Sequence, residues 1–311
     1  MSLRLHRAAS CPECRAPLDE AVCARCGSHY GQLDGVPVLM HGPPASTYTA
    51  AATLYELLGR FGRYYGRPTF AEQAIRRSGA QRVLSVGEGS GEYVLALAAK
   101  LSDVDFAACD LEGARVAHAE RLRRLLGVEN VSFAVADAQR LPYRPRAFDL
   151  IFERGVFHLL PDRAAHIREI QRLAPWLWQV TDVANGAWYW RNWRVYARLA
   201  RLRGVRASLA DQEFTVAILR ELGGPHDWKQ QTELVRDHGM RVVPLWHDAF
   251  VFQSYHRRFP GAMGRWAASF GFEAEVLGPE RGGAAGPPRG NGPAWSRRPG
   301  IGDGIREMRA P

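Results

Sequence analysis

Lysine is almost absent from this sequence: among its 41 basic residues only Lys100 and Lys229 are lysines, so the formal charge of +9 rests on arginine. A bias of that kind also arises from genome composition, and the chain shows neither a dense basic run nor a recognised RNA module, so charge alone does not assign nucleic acid as a partner. No stretch approaches the eighteen apolar residues of a membrane span. Residues 1–10 carry Arg4, His6 and Arg7 and lack the apolar centre of a signal peptide, which predicts a cytoplasmic protein whose thiols stay reduced. No internal repeat is visible. Cysteine is sparse, with five in 311 residues, and four of the five fall in two short knuckles near the N-terminus.

What is present is enough apolar chain, 46% of residues, for one α/β domain of roughly 180–220 residues plus appendages. Its most informative stretch is VLSVGEGSGE, Val83 to Glu92. A buried-strand run ends on three glycines, Gly87, Gly89 and Gly91, and a helix pattern begins at once. Such a bend lets backbone approach a ligand, and the following helix points amide donors at the same place. A dinucleotide fingerprint needs its third glycine where Glu92 stands, and that carboxylate would oppose a pyrophosphate. A ligand without phosphate fits better.

Three further strands are expected, Val104–Cys109, Val131–Val135 and Phe148–Phe152, and each runs into an acidic residue: Asp110, Asp137 and Glu153. Asp110 lies nineteen residues past Gly91, a spacing suited to a carboxylate on ribose hydroxyls; capping of the helix near Gly113 is the competing role. A fifth strand is expected at Leu177–Asp182, a sixth at Met240–Leu245 and a seventh at Phe250–Tyr255.

The stretches VLSVGEGSGEY, AACDLEG and VADAQRLPYRPRAFDLIFERGVFHLLPD resemble the Rossmann-like S-adenosylmethionine-dependent methyltransferases over about residues 81–182. The resemblance implies a doubly wound seven-stranded α/β sheet. It implies S-adenosylmethionine as cofactor, with Gly87, Glu88, Gly89 and Gly91 around the methionine part and Asp110 on the ribose. It also implies Leu111 against adenine, Asp137 and Ala138 at the adenine edge, and Glu153 at the end of the fourth strand. Two departures stand out. Ser85 replaces an acidic residue common in the family, with Glu88 offering a nearby charge, and Ala174, Pro175 and Trp176 replace the usual Pro-Gly-Gly.

Cys11-Pro-Glu-Cys14 and, eight residues later, Cys23-Ala-Arg-Cys26 match the spacing of a structural zinc site. Two disulfides or a redox pair are the alternative. Four thiolates close the coordination shell, which leaves His29 as a loop residue and no open position for catalysis. The flanking CGSHYGQLDGVPVLM resembles the zinc-ribbon end of two groups, a small activator subunit of tRNA and protein methyltransferases and the rRNA guanine methyltransferases. Cys109 is expected to be a buried apolar residue.

The expected organisation is a zinc-ribbon-like module over 1–41, a helical linker over 42–80, a cofactor-binding domain over 81–260 and a C-terminal extension over 261–311. Half of the residues from Pro279 to Gly304 are Gly or Pro, a composition expected to stay disordered. Within the central domain an insertion at 183–228 carries Trp188, Tyr189, Trp190, Trp193 and Tyr196. Following the carboxyl end of a strand, it reads as a lid over an apolar or aromatic acceptor, with ordinary packing as the alternative. His158 is the candidate general base, or else a helix-face histidine bonded to backbone; the cluster His226-Asp227-Trp228 is a lesser candidate. Three functions are consistent with these residues: methyl transfer to a small-molecule or lipid-like acceptor, methyl transfer to RNA, and a cofactor-binding adaptor without catalysis. The sequence is silent on oligomeric state.

Overall fold

The apolar strand runs alternate cleanly between two faces, as a sheet covered on both sides requires. In the computed structural model, which describes residues 5–45, 54–66, 68–173, 176–184, 228–246 and 269–276, they form one seven-stranded sheet. The strands are β3 (Arg82–Val86), β4 (Asp105–Asp110), β5 (Val131–Val135), β6 (Leu150–Arg154), β7 (Leu177–Ala184), β8 (Met240–Trp246) and β9 (Ser269–Val276). Their order is β5-β4-β3-β6-β7-β9-β8. The first five are parallel, and β9 runs antiparallel between β7 and β8.

Helices cover both faces. On one, Val83, Phe106, Val131, Phe133, Leu150 and Phe152 pack with residues of α1 (Leu54–Tyr65), α2 (Phe70–Ser78), α3 (Glu92–Lys100) and α4 (Gly113–Leu126). On the other, Leu84, Val86, Ile151, Trp178 and Phe272 pack with α5 (Arg163–Leu173) and α6 (Trp228–Asp237). Local chemistry sets the boundaries. Thr69 Oγ1 accepts from Glu72 N at 3.2 Å to start α2, and Gly79 in the left-handed region ends it. The strand order reverses beside β3, so the loops after β3, β4, β5 and β6 converge at their carboxyl ends, where open α/β sheets bind ligands.

The N-terminal residues are built onto this sheet. A short hairpin, β1 (Gln32–Leu33) and β2 (Val36–Pro37), leads into Val38 and Leu39, which pair with Val135 on the outer edge of β5; Leu39 N donates to the Val135 carbonyl at 2.8 Å. Cys11, Leu18, Cys23, Tyr30 and Leu39 share a small core with Ala134 of β5. That core is too small to stand alone.

Two expectations change. The fourth strand is Leu150–Arg154, two residues later than Phe148–Phe152, because Asp149 is held by the amides of Gln81 and Arg82 and begins the pairing there. The last sheet strand is Ser269–Val276, inside the segment expected to be a C-terminal extension; its alternate residues Phe270, Phe272 and Ala274 are fully buried. Residues 250–255, expected to supply it, lie outside the described residues, as do the aromatic insertion from Trp188 to Tyr196, His226 and Asp227, and the Gly/Pro-rich C-terminal segment.

Phe272 contacts Trp178 and Phe157 edge to face, at centroid distances of 5.2 and 5.7 Å. Replacing Phe272 with Ala is expected to lower the unfolding free energy by roughly 3–5 kcal/mol, read as a shift of the denaturation midpoint at unchanged slope. A change below about 1 kcal/mol would take the 269–276 strand out of the core.

Candidate cofactor cleft and metal cage

The loop after β3 keeps Gly87, Gly89 and Gly91 all in the left-handed region, with φ of 68°, 64° and 82°. At Gly87 a Cβ would overlap the Val156 side chain, and at Gly89 it would overlap the Arg115 guanidinium. Glycine is therefore required at Gly87 by conformation and by space, and at Gly89 by conformation, since the end of the Arg115 side chain can shift. The next loop is tied to this one by Asp110, whose carboxylate accepts from Gly89 N at 2.7 Å and from Glu112 N at 2.9 Å. Burial moves the Asp110 carboxyl upward, against the Arg115 charge and these two bonds.

Together the loops enclose a cleft of about 440 Å³, within the usual range of small-molecule sites. Gly87, Glu88, Asp110, Leu111, Asp137 and Ala138, all expected at the cofactor, line it. Leu111 is 41% exposed, an apolar side chain held open rather than packed. Five carboxylates (Glu88, Glu92, Asp110, Glu112, Asp137) face two guanidiniums (Arg115, Arg154) across the lining. Such a field opposes a pyrophosphate and favours a cationic ligand.

At the glycine end, Glu88 takes a hydrogen bond from Ser85 Oγ at 2.5 Å and from Val94 N at 2.8 Å. Glu88 thus places a carboxyl group directly beside Ser85. Burial pushes the Glu88 carboxyl up to about 7. Arg154 lies against both the Tyr64 and Tyr93 rings, 4.9 and 4.8 Å from their centroids, and donates to Tyr64 Oη at 2.5 Å. Glu92 accepts from Arg60 at 3.4 Å, and its second oxygen is buried with no partner. Arg154, Arg115 and Glu92 were not among the expected cofactor contacts; the position of Arg154 at the very end of a parallel strand was the available signal.

Four expected residues sit elsewhere. Gly89 and Gly91 shape the bend without lining the cleft. Glu153 points to the opposite face of β6, where it accepts from Trp178 Nε1 at 3.0 Å and meets His166 Nε2 at 3.3 Å. His166 Nδ1 is 2.8 Å from the Ala138 carbonyl and so donates to it. Burial opposes the imidazolium, yet the Glu153 charge and these bonds prevail and the His166 pKa rises. His158, the expected base, does not line the cleft; it is 6% exposed and its Nδ1 has no partner. Burial and the charge of Arg163 lower its pKa to about 3, which makes it a weak proton acceptor.

The second site is the thiol cluster. The sulfurs of Cys11, Cys14, Cys23 and Cys26 all lie within 4.8 Å of one another, with Cys11–Cys26 and Cys14–Cys23 at 3.6 Å. A tetrahedron with metal–sulfur distances near 2.3 Å has an edge of about 3.8 Å, so the donor set fits zinc. A disulfide needs sulfurs about 2.05 Å apart. Tyr30 Oη lies 3.0 Å from Cys11 Sγ and Ser28 Oγ 3.2 Å from Cys26 Sγ, outer partners that orient thiolates. The two knuckles share one backbone design: Arg15 N bonds the Cys11 carbonyl as Gly27 N bonds that of Cys23. Arg15 and Gly27 are both left-handed, at φ 62° and 73°.

Residues 83–175 match the family described as "Methyltransferase domain". Among solved structures, the chain is similar to an S-adenosylmethionine-dependent methyltransferase from Aquifex aeolicus. Identity is 17% over 73% of this chain and 100% of that one, with a TM-score of 0.46. It is also similar to the YcgJ protein from Bacillus subtilis, at 18% identity over 69% of this chain and 96% of that one, with a TM-score of 0.42.

Two outcomes are expected. Purified protein should carry about one zinc per chain by elemental analysis, falling to a minor fraction in Cys11→Ser or Cys23→Ser. Glu88 holds its proton more tightly folded than unfolded. Its contribution to stability is therefore complete below about pH 4.5 and is lost as pH rises through about 7. Glu88→Gln should remove that decline from a stability profile taken between these limits.

Proposed function

We propose that residues 83–175, a methyltransferase domain, use S-adenosylmethionine to methylate a small-molecule or lipid-like acceptor, and that the thiol cage holds structural zinc. The observation that carries the cofactor is the charge order along one cleft. At the glycine end Glu88 and Glu92 suit an ammonium and Arg154 suits a carboxylate, the two halves of an amino-acid zwitterion. Asp110 comes next, a carboxylate for ribose hydroxyls, and Asp137 with Ala138 stands at the far end for an adenine edge. The net negative lining favours a sulfonium over the phosphates of a dinucleotide.

When bound, the cofactor supplies an activated methyl group with its own leaving group. The chain's residues then have to align and dry the site. Tyr64 and Tyr93 hold Arg154 in place, and Asp110 keeps the two loops at a fixed separation. Val156, Leu159, Leu160 and Pro161 give the cleft an apolar wall after β6, against which an apolar acceptor can be aligned. This wall, together with the aromatic residues Trp188 to Tyr196 that follow β7 in the sequence, supports an apolar or aromatic acceptor. No side chain of the lining is assigned as a base. An acceptor that enters already ionised, or loses its proton to water, needs none.

Incubation with methyl-labelled cofactor and fractionated cell extract tests the acceptor: label in organic-soluble small molecules is expected, while label in RNA would establish the RNA alternative. Asp110→Ala should weaken S-adenosylhomocysteine binding by tenfold or more in calorimetry, in line with about 1.5–3 kcal/mol for hydrogen bonds to a charged group. Deleting residues 186–226 should abolish transfer and leave cofactor binding intact; loss of both would assign the insertion to the core.

A further inference from the structure

The first thiol knuckle is bonded directly to the chain that forms the far wall of the cleft. Arg140 Nε donates to the Pro12 carbonyl at 2.8 Å, Arg15 Nη1 donates to the Leu141 carbonyl at 2.8 Å, and Ser10 N donates to the Pro142 carbonyl at 2.9 Å. Asp137, Ala138 and Gln139 of the cleft lining immediately precede these residues. They cannot move independently of them, because Arg140 N bonds the Asp137 carbonyl at 3.0 Å and Gln139 N bonds Asp137 Oδ1 at 2.8 Å. Helix α5 closes the arrangement from behind. Its His166 holds the Ala138 carbonyl, and one turn later Glu169 takes the Arg15 guanidinium in a fork, at 2.9 and 3.2 Å. Arg172 adds bonds from α5 to the Leu141 and Tyr143 carbonyls, at 2.9 and 2.6 Å.

Arg15 is thus fixed at both ends. Its backbone closes the knuckle between Cys11 and Ala16 in a left-handed conformation that the second knuckle gives to glycine, and its side chain spans to Glu169 and Leu141. A non-glycine residue persists there because its surroundings determine it on every side.

We infer that the metal cage and the adenosyl cleft form one thermodynamic unit, with Arg15 as the positioning residue that couples metal occupancy to cofactor affinity. The inference rests on the cofactor and zinc readings above. Metal holds Cys11 and Cys14 and hence the carbonyl of Pro12 and the backbone of Arg15; these hold residues 140–141, and so the wall at 137–139. Linkage is reciprocal: whatever factor metal adds to cofactor affinity, the cofactor adds to metal affinity.

The test uses the full chain. S-adenosylhomocysteine is titrated by calorimetry into zinc-loaded and chelator-stripped protein, and zinc affinity is measured by competition with a chromogenic chelator, with and without saturating S-adenosylhomocysteine. The expected result is a weakening on stripping of roughly 5- to 150-fold, the common span of coupling, mirrored by the same factor in zinc affinity. Arg15→Gly keeps the knuckle geometry seen at Gly27, so its zinc content should match the parent, yet its cofactor affinity should fall toward that of stripped protein. A merely stabilising role would lower the melting temperature and leave the affinity of the folded, zinc-loaded variant unchanged. Parent-like cofactor binding by zinc-loaded Arg15→Gly overturns the coupling while the cofactor reading stands, as does equal binding by loaded and stripped parent. Absence of binding by zinc-loaded parent overturns both. Should the stripped chain unfold, the zinc-loaded Arg15→Gly comparison still decides.

Discussion

The carboxylate of Asp110 is the interaction on which the site depends. It joins two loops that share no sequence proximity, taking an amide from each, and so sets the distance between the glycine bend and the β4 turn. It acts beside two backbone bonds, from Gly87 N and Glu88 N to the Cys109 carbonyl at 2.8 and 3.1 Å, and extends that tie past the strand end to Gly89. Arg115 shows how densely this point is built. Its guanidinium lies against Gly89, and its charge opposes the upward pull of burial on Asp110.

Around this point the molecule concentrates negative charge, which is unusual for a chain with a formal charge of +9. The arginines resolve the contrast by serving as internal fasteners. Arg15, Arg172 and Arg123 bind carboxylates and carbonyls in forks, and Arg82 grips Asp149 at 2.7 Å where the fourth strand begins. Lysine could not replace them in these bidentate roles. Among the described residues these arginines thus serve the structure rather than a basic surface.

How much of this was legible in the sequence depended on range. The glycine bend, Asp110 and the individual strands rest on neighbours a few residues apart and on residue periodicity, so Val83 to Glu92 announced itself, whereas the doubly wound sheet came only with the family resemblance. Glu153 was misplaced although the same periodicity could have placed it: it shares a sheet face with Ile151, which is core, so its side chain had to turn inward. The strand at Ser269–Val276 alternates equally well but stands beyond an apparent domain boundary. His158 looked catalytic by position, and only burial by distant residues shows it neutral. Arg15, Glu169 and Arg140 were invisible, because their partners lie more than a hundred residues away.

The pairing of Val38 and Leu39 against Val135 has a consequence for the sheet as a whole. A parallel sheet's outermost ribbon carries a row of unsatisfied amides and carbonyls, an invitation to any other chain of similar character. Here the segment that follows the β1–β2 hairpin closes that row at its carboxyl end, at Val135. A shortened chain beginning at the helix of residues 54–65 would uncover Val135 as well and so lengthen the margin at which two copies can join.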